Sequence, residues 1–169
     1  MQTAAKKTSV ATVWSWLENV PDPEIPVISV VDLGIVRDVV WVDDRLVISV
    51  TPTYSGCPAT AVISLEIENE LRRHDVEKVE IKTILSPAWT TDWITEAGRQ
   101  KLKDYGIAPP VNGAASCAGA LMRPAFSAVE CPHCGSSETK CVSQFGSTPC
   151  KASYRCEECL EPFDYFKSF

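Results

Sequence analysis

The 169-residue sequence predicts an α+β protein in two parts: a small mixed domain with helices packed on a small sheet, then a smaller β module held by cysteines. Three observations carry this expectation. Apolar residues recur at alternating helical and strand periods between residues 10 and 105. The composition turns to Ala, Pro, Gly and Ser over 108–128. Beyond that stretch, two Cys-x-x-Cys pairs stand in a tail too short to bury a sufficient apolar core.

The elements follow in order. Residues 10–19 predict a short helix with Val13, Trp16 and Leu17 on one side. Pro21, Pro23 and Pro26 forbid its continuation and predict a rigid extended loop, Pro21-Asp22-Pro23-Glu24-Ile25-Pro26. Ile35–Val42 and Leu46–Thr51 are rich in β-branched residues and predict two strands joined by a tight hairpin at Asp43-Asp44-Arg45. Ala59–Arg73 predicts a helix with Ile63, Ile67 and Leu71 aligned. Val76–Leu85 predicts a third strand with Val79, Ile81 and Leu85 on one face. After a loop at 86–91, Asp92–Tyr105 predicts a last helix, closed by Gly106 as its C-terminal cap. The expected division is therefore a domain over 9–107, a linker over 108–128 and a cysteine module over 129–169.

In the module, Cys131-Pro132-His133-Cys134-Gly135 is followed, after 21 intervening residues, by Cys156-Glu157-Glu158-Cys159. Two such turns each present two thiolates and complete a tetrahedron, so Cys131, Cys134, Cys156 and Cys159 are expected to hold one structural zinc. Metal binding then supplies folding free energy that so short a segment lacks. Phe145, Tyr154, Phe163, Tyr165 and Phe166 are expected to form a minimal aromatic core around it. The rival is a rubredoxin-like iron site, which also takes four cysteines. Leu160 stands where such sites usually carry a second glycine, and this favours zinc. His133 reads as a solvent-facing spacer.

Composition excludes several functions. Charged residues make up 22% of the chain and the net charge is −6. From Cys131 to Phe169 four cations stand against five carboxylates, which disfavours nucleic-acid binding. No apolar run approaches the roughly 18 residues that span a bilayer, and no export signal is read, so a cytoplasmic location without membrane attachment is expected. Eight cysteines there read as metal ligands or thiols rather than disulfides. No Ser-His-Asp set, phosphate-cradling loop or paired carboxylates point to an enzyme acting by itself. Trp14, Trp16, Trp41, Trp89 and Trp93 fit either a core or a homodimer face.

Four further cysteines remain. Gly56-Cys57-Pro58 places Cys57 at the N-cap of a helix, where unpaired N–H groups and the helix dipole favour a thiolate, hence a metal ligand or nucleophile. A small buried residue at a tight turn fits the same position equally well. Cys150 ends the loop Phe145-Gly146-Ser147-Thr148-Pro149-Cys150 beside Lys151 and reads as exposed, either a ligand or a mere connector. Cys141 reads as a packed strand residue, and Cys117 as a thiol without a role. Asp22 and Glu24 flank Pro23 and suit either a hard cation or a turn. His74 reads as a surface residue.

Together these residues form a pattern. Asp22-Pro23-Glu24-Ile25-Pro26, Val31-Asp32-Leu33-Gly34-Ile35-Val36 and Cys57-Pro58, with Trp89 and the following helix, resemble the SufT-like family of iron–sulfur cluster assembly factors. Phe145–Lys151 and Cys156–Lys167 extend the resemblance over nearly the whole chain to the D-component family of the bacterial phenylacetyl-CoA epoxygenase system. The resemblance implies a non-catalytic accessory of a di-iron oxygenase and its [2Fe–2S] flavin reductase, one that matures one of those partners. It implies that Cys57 is the functional thiol, that Asp22 and Glu24 form the acidic loop, and that Cys150 is a second labile ligand for a transient iron or iron–sulfur cluster.

Overall fold

The computed structural model describes residues 7–54, 56–110 and 129–167. Contacts group the chain into two compact units, Met1–Trp89 and Thr90–Phe169.

In the first unit, the Ser9 hydroxyl accepts the Thr12 N–H at 3.1 Å and starts α1, Val10–Leu17. Val13 and Leu17, one helical turn apart, are fully buried. The proline segment that follows is not extended, as the sequence suggested. It folds back: the Asp22 N–H donates to the Ile28 carbonyl at 2.8 Å, and Pro21 bridges Ser29. Proline removes three donors, but the N–H groups of Glu24 and Ile25 remain, and the Asp22 carboxylate accepts both at 2.9 and 2.8 Å.

Strand β1, Val36–Val42, runs antiparallel to β2, Arg45–Val50, through a turn in which Asp43 takes φ 51°. Helix α2, Ala59–Arg73, returns the chain so that β3, Val79–Thr83, lies parallel to β2. The order is β1-β2-β3. Strand β2 is buried from Leu46 to Val50, Val39 of β1 is buried beside it, and Ile63, Ile67 and Leu71 of α2 are buried as well. His74 is not a bare surface residue: its ring stacks on Trp16 at 3.9 Å, and its Nε2 lies 3.3 Å from the Glu70 carboxylate. Trp89 is buried and donates its indole N–H to the Leu33 carbonyl at 2.9 Å.

In the second unit, the helix expected from Asp92 begins at Glu96. Residues Thr91–Trp93 form one 3₁₀ turn, Ile94 is extended, and the Thr95 hydroxyl caps α3, Glu96–Asp104, by accepting the Gly98 N–H at 3.0 Å. Gly106 closes α3 at φ 86°. Strand β4, Ile107–Ala108, then pairs in parallel with β7, Pro162–Phe166. Beyond β7 lie β6, Lys151–Cys156, and β5, Thr139–Ser143, in the order β4-β7-β6-β5.

The expected boundary at residue 107 thus falls inside the second unit, because the pairs Ile107↔Asp164 and Ala108↔Tyr165 tie α3 and β4 to the cysteine module. Most of the expected linker, together with Cys117, lies outside the described residues. The core of this unit gathers Val129, Cys131, Ala152, Tyr154, Cys156, Phe163 and Tyr165. Phe145, expected in that core, is instead 68% exposed, because the loop that carries it turns outward after β5. Among the described residues no helix is long and apolar enough to cross a membrane.

Candidate functional site

Two turns build the cysteine cluster. In the first, the Gly135 N–H donates to the Cys131 carbonyl at 2.9 Å, and the Cys131 N–H donates to that of Ser136 at 2.9 Å. In the second, the Cys159 N–H points at the Cys156 sulfur at 3.5 Å. The residue after each pair is left-handed, Gly135 at φ 78° and Leu160 at φ 65°. The missing second glycine therefore marks no different geometry; Leu160 adopts the same backbone at a steric cost of about 1–2 kcal/mol. It does not help to choose between zinc and iron.

All four sulfurs lie within 4.8 Å of one another, with Cys131–Cys159 at 3.8 Å and Cys134–Cys156 at 3.5 Å. A tetrahedral ion bound to sulfur at about 2.3 Å requires sulfur–sulfur distances of about 3.8 Å, so the cluster fits such an ion. Cys131 and Cys156 are fully buried and Cys134 is exposed. His133 is exposed, as expected, but its ring lies against Gly106: a β-carbon there would stand 3.2 Å from the imidazole Cε1.

The thiols differ in acidity. Hydrogen bonds from the Cys159 backbone N–H, joined by that of Glu158 and by the Cys134 thiol, lower Cys156 to about 7. The backbone hydrogen bond at Glu161 lowers Cys159, but burial and the neighbouring thiols outweigh it and raise Cys159 to about 12. The backbone hydrogen bond at Ser136 likewise lowers Cys134, but burial and the Cys156 thiol outweigh it and leave that thiol raised. One thiolate forms readily, and further negative charge is resisted until a cation arrives. Metal uptake therefore displaces protons, and affinity falls with falling pH, by about tenfold per unit for each proton released. Chelator competition at pH 8 and pH 6 checks this; a pH-independent affinity contradicts it.

In the first unit, Cys57 is half-exposed. It sits one residue earlier than expected: Pro58 is the N-cap of α2 and gives no side-chain cap. The Cys57 carbonyl instead accepts the Thr60 N–H at 3.2 Å and opens the helix. Gly56, at φ 96°, turns the chain into it. Asp22 is 7% exposed, with one carboxylate oxygen engaged by the Glu24 and Ile25 N–H groups. Glu24 is half-buried. Among the described residues, Asp22, Glu24 and Cys57 belong to no cluster of three or more metal-donor residues, unlike the four module cysteines.

The second-unit thiols differ from expectation in one respect. Cys150 is 5% exposed rather than open: its loop folds onto the sheet, its thiol lies 3.0 Å from the Thr148 hydroxyl, and its carbonyl accepts the Lys167 N–H at 2.9 Å. Cys141 packs against the core, as expected of a strand residue. Sequence reasoning missed the ion pair beside Cys150, from the buried Lys151 to Asp164 at 3.3 Å. The only signal was the alternation that places both on the face opposite Ala152 and Tyr165.

Residues 121–167 match the family described as the PaaD zinc beta ribbon domain, and residues 10–83 match the iron–sulfur cluster assembly protein family. The chain is 47% identical to the D component of the "Putative 1,2-phenylacetyl-CoA epoxidase" of Escherichia coli (strain K12), over 94% of this chain and 92% of that one. It is 38% identical to the Fe-S protein maturation auxiliary factor YitW of Bacillus subtilis (strain 168), over 45% of this chain and 76% of that one. A crystal structure of a DUF59 domain of unknown function from Bacillus anthracis superposes with a TM-score of 0.51 at 27% identity, covering 54% of this chain and 89% of that domain.

Proposed function

From the premise that this chain belongs to the D-component family of phenylacetyl-CoA epoxidase, we propose that it is an accessory maturation component of such a system. It passes iron or an iron–sulfur cluster, as cargo, to the oxygenase or to its iron–sulfur reductase. Cys57 supplies the sulfur donor and Glu24 the oxygen donor. Asp22 fixes the loop that carries Glu24, since its carboxylate binds two N–H groups of that loop. Cys131, Cys134, Cys156 and Cys159 hold a resident zinc, which cross-links the second unit.

One observation carries this reading. Cys57, half-exposed at the start of α2, lies within the segment that matches the iron–sulfur assembly family, and among the described residues it belongs to no cluster of three or more metal-donor residues. A ligand-poor site keeps coordination positions open to a client and releases its cargo readily. A resident metal centre requires the opposite, the closed set of four thiolates found in the second unit.

The test is metal content and visible absorption of protein purified without oxygen and loaded with ferrous iron and sulfide, wild type beside Cys57→Ser. About one zinc per chain in both, with an iron-linked absorbance lost only in the variant, is expected. Equal iron uptake by the variant sinks the proposal. A second reading is an electron carrier with iron in the ribbon, since a set of four thiolates suits iron as well as zinc. That reading requires visible colour and no zinc in both proteins.

A further inference from the structure

The four module cysteines form one ligand set in unequal surroundings. Cys131 and Cys156 are fully buried, Cys159 is half-exposed and Cys134 is exposed. The turns impose this difference. Cys131 and Cys156 belong to the core that Tyr154 and Phe163 complete, and Cys156 is the last residue of β6. Cys134 lies on the outer side of the first turn, where His133, Cys134 and Gly135 are three exposed residues in succession.

The exposed sulfur also has a buried one beside it. Cys134 and Cys156 stand 3.5 Å apart, and Cys131 and Cys159 stand 3.8 Å apart. Both approaches run from one turn to the other, so a bond between such a pair forms without either turn opening. A coordinating thiol is deprotonated outright, so with an ion bound all four sulfurs are thiolates and exposure ranks them. Oxidation follows thiolate character and exposure, and an accessible thiolate next to a second thiol is the arrangement of a redox sensor. Zinc has no redox chemistry of its own, so the electrons come from sulfur.

We propose that Cys134 is an oxidation site for hydrogen peroxide, with Cys156 as its resolving thiol, and that the disulfide between them releases the zinc. The proposal rests on the reading above that these four cysteines hold zinc. In the first step the Cys134 thiolate attacks a peroxide oxygen. A sulfur–oxygen bond forms, the oxygen–oxygen bond breaks and hydroxide leaves, so Cys134 is oxidised to the sulfenic acid and the peroxide is reduced. In the second step the Cys156 thiolate attacks the Cys134 sulfur. The disulfide forms, the sulfur–oxygen bond breaks and a second hydroxide leaves. Two protons from water convert both hydroxides to water. Cys131 and Cys159 then remain, too few to hold a four-coordinate ion. The new bond ties the first metal turn to the end of β6, so the turns stay together until a thiol reductant restores the set. Cys57 is half-exposed as well, but it belongs to no such cluster among the described residues, and its oxidation leaves the zinc in place.

The test uses the full-length, zinc-loaded chain treated with hydrogen peroxide. Zinc is read with a chromogenic chelator, and disulfides are read by mass spectrometry of unreduced peptides. About two thiols should be lost for about one zinc released, the first linked peptides should join Cys134 to Cys156, and a thiol reductant with added zinc should reverse both. Cys134→His keeps a ligand that zinc accepts but cannot form the bond, and should release zinc at least about tenfold more slowly. Equal release from wild type and this variant overturns the proposal. So does zinc retained while Cys57 is oxidised, or a first disulfide that joins any other pair. If Cys134→His takes up no zinc, the linked peptides of the wild type decide alone. Wild type that carries no zinc before peroxide is added overturns the zinc reading, and this proposal with it, so the two failures are told apart.

Discussion

Removing the metal, or replacing Cys156 with serine, is expected to melt the second unit as one piece, helix α3 included, and to leave the first unit folded. Cys156 is fully buried in the core formed with Cys131, Tyr154 and Phe163. That core is small, and a structural zinc contributes on the order of 10–16 kcal/mol in peptides of comparable size, more than such a module retains in net stability. The loss spreads to α3 because β4 takes its pairing from β7, and because His133 of the first metal turn rests on Gly106 at the end of α3. The Lys103–Glu130 pair at 3.1 Å adds little, since both side chains are largely exposed. Hydrogen exchange read by mass spectrometry checks this: peptides over Glu96–Ala108 should lose protection with the metal, together with β5–β7. Protection of α3 that survives a chelator while the strands exchange would show that α3 folds without the ribbon.

That coupling was not legible in the sequence, and the reason is physical. Helix α2 was legible to the residue because its apolar spacing is a local signal. The β1–β2 hairpin was legible because two acidic residues interrupt two β-branched runs. The cysteine cluster was legible because spacing alone brings four thiolates together. Strand β4 is two residues long, has no period, and is defined by β7 far along the chain. The start of α3 depends on Thr95 outcompeting Asp92 as a cap, a choice the apolar pattern does not encode. The same holds for Cys150 and Phe145. Their loop looked open because Gly, Ser, Thr and Pro fill it, yet Asp164 and Lys167, supplied from β7 and the residue after it, fold Cys150 inward and turn Phe145 outward. In the acidic loop the residues were legible but the shape was not. Three prolines suggested extension, and the two N–H groups left over decided for a turn closed by Asp22.

Replacing Cys57 with serine is expected to leave both units folded and zinc-loaded while abolishing support of the epoxidase. The position tolerates the change: Cys57 is half-exposed, and its contribution to α2 comes from its carbonyl, which serine keeps. Stability should shift by no more than about 0.5 kcal/mol, as at other surface positions. Chemistry does not tolerate it, because a serine hydroxyl at neutral pH is neither ionised nor soft enough to hold iron or a cluster. Phenylacetyl-CoA-dependent oxygen consumption by epoxidase components matured with the variant should therefore fall to the level seen without this chain. Two companions separate ligand from scaffold. Glu24→Gln keeps the loop's shape and should reduce support in part, through one weakened oxygen donor. Asp22→Ala deprives two N–H groups of their acceptor and should cost about 1–3 kcal/mol of stability in the first unit. Support that fails in all three variants in step with stability would point to a damaged fold. Support that fails in Cys57→Ser at full stability isolates the thiol, and full support there removes cargo transfer through Cys57 from consideration.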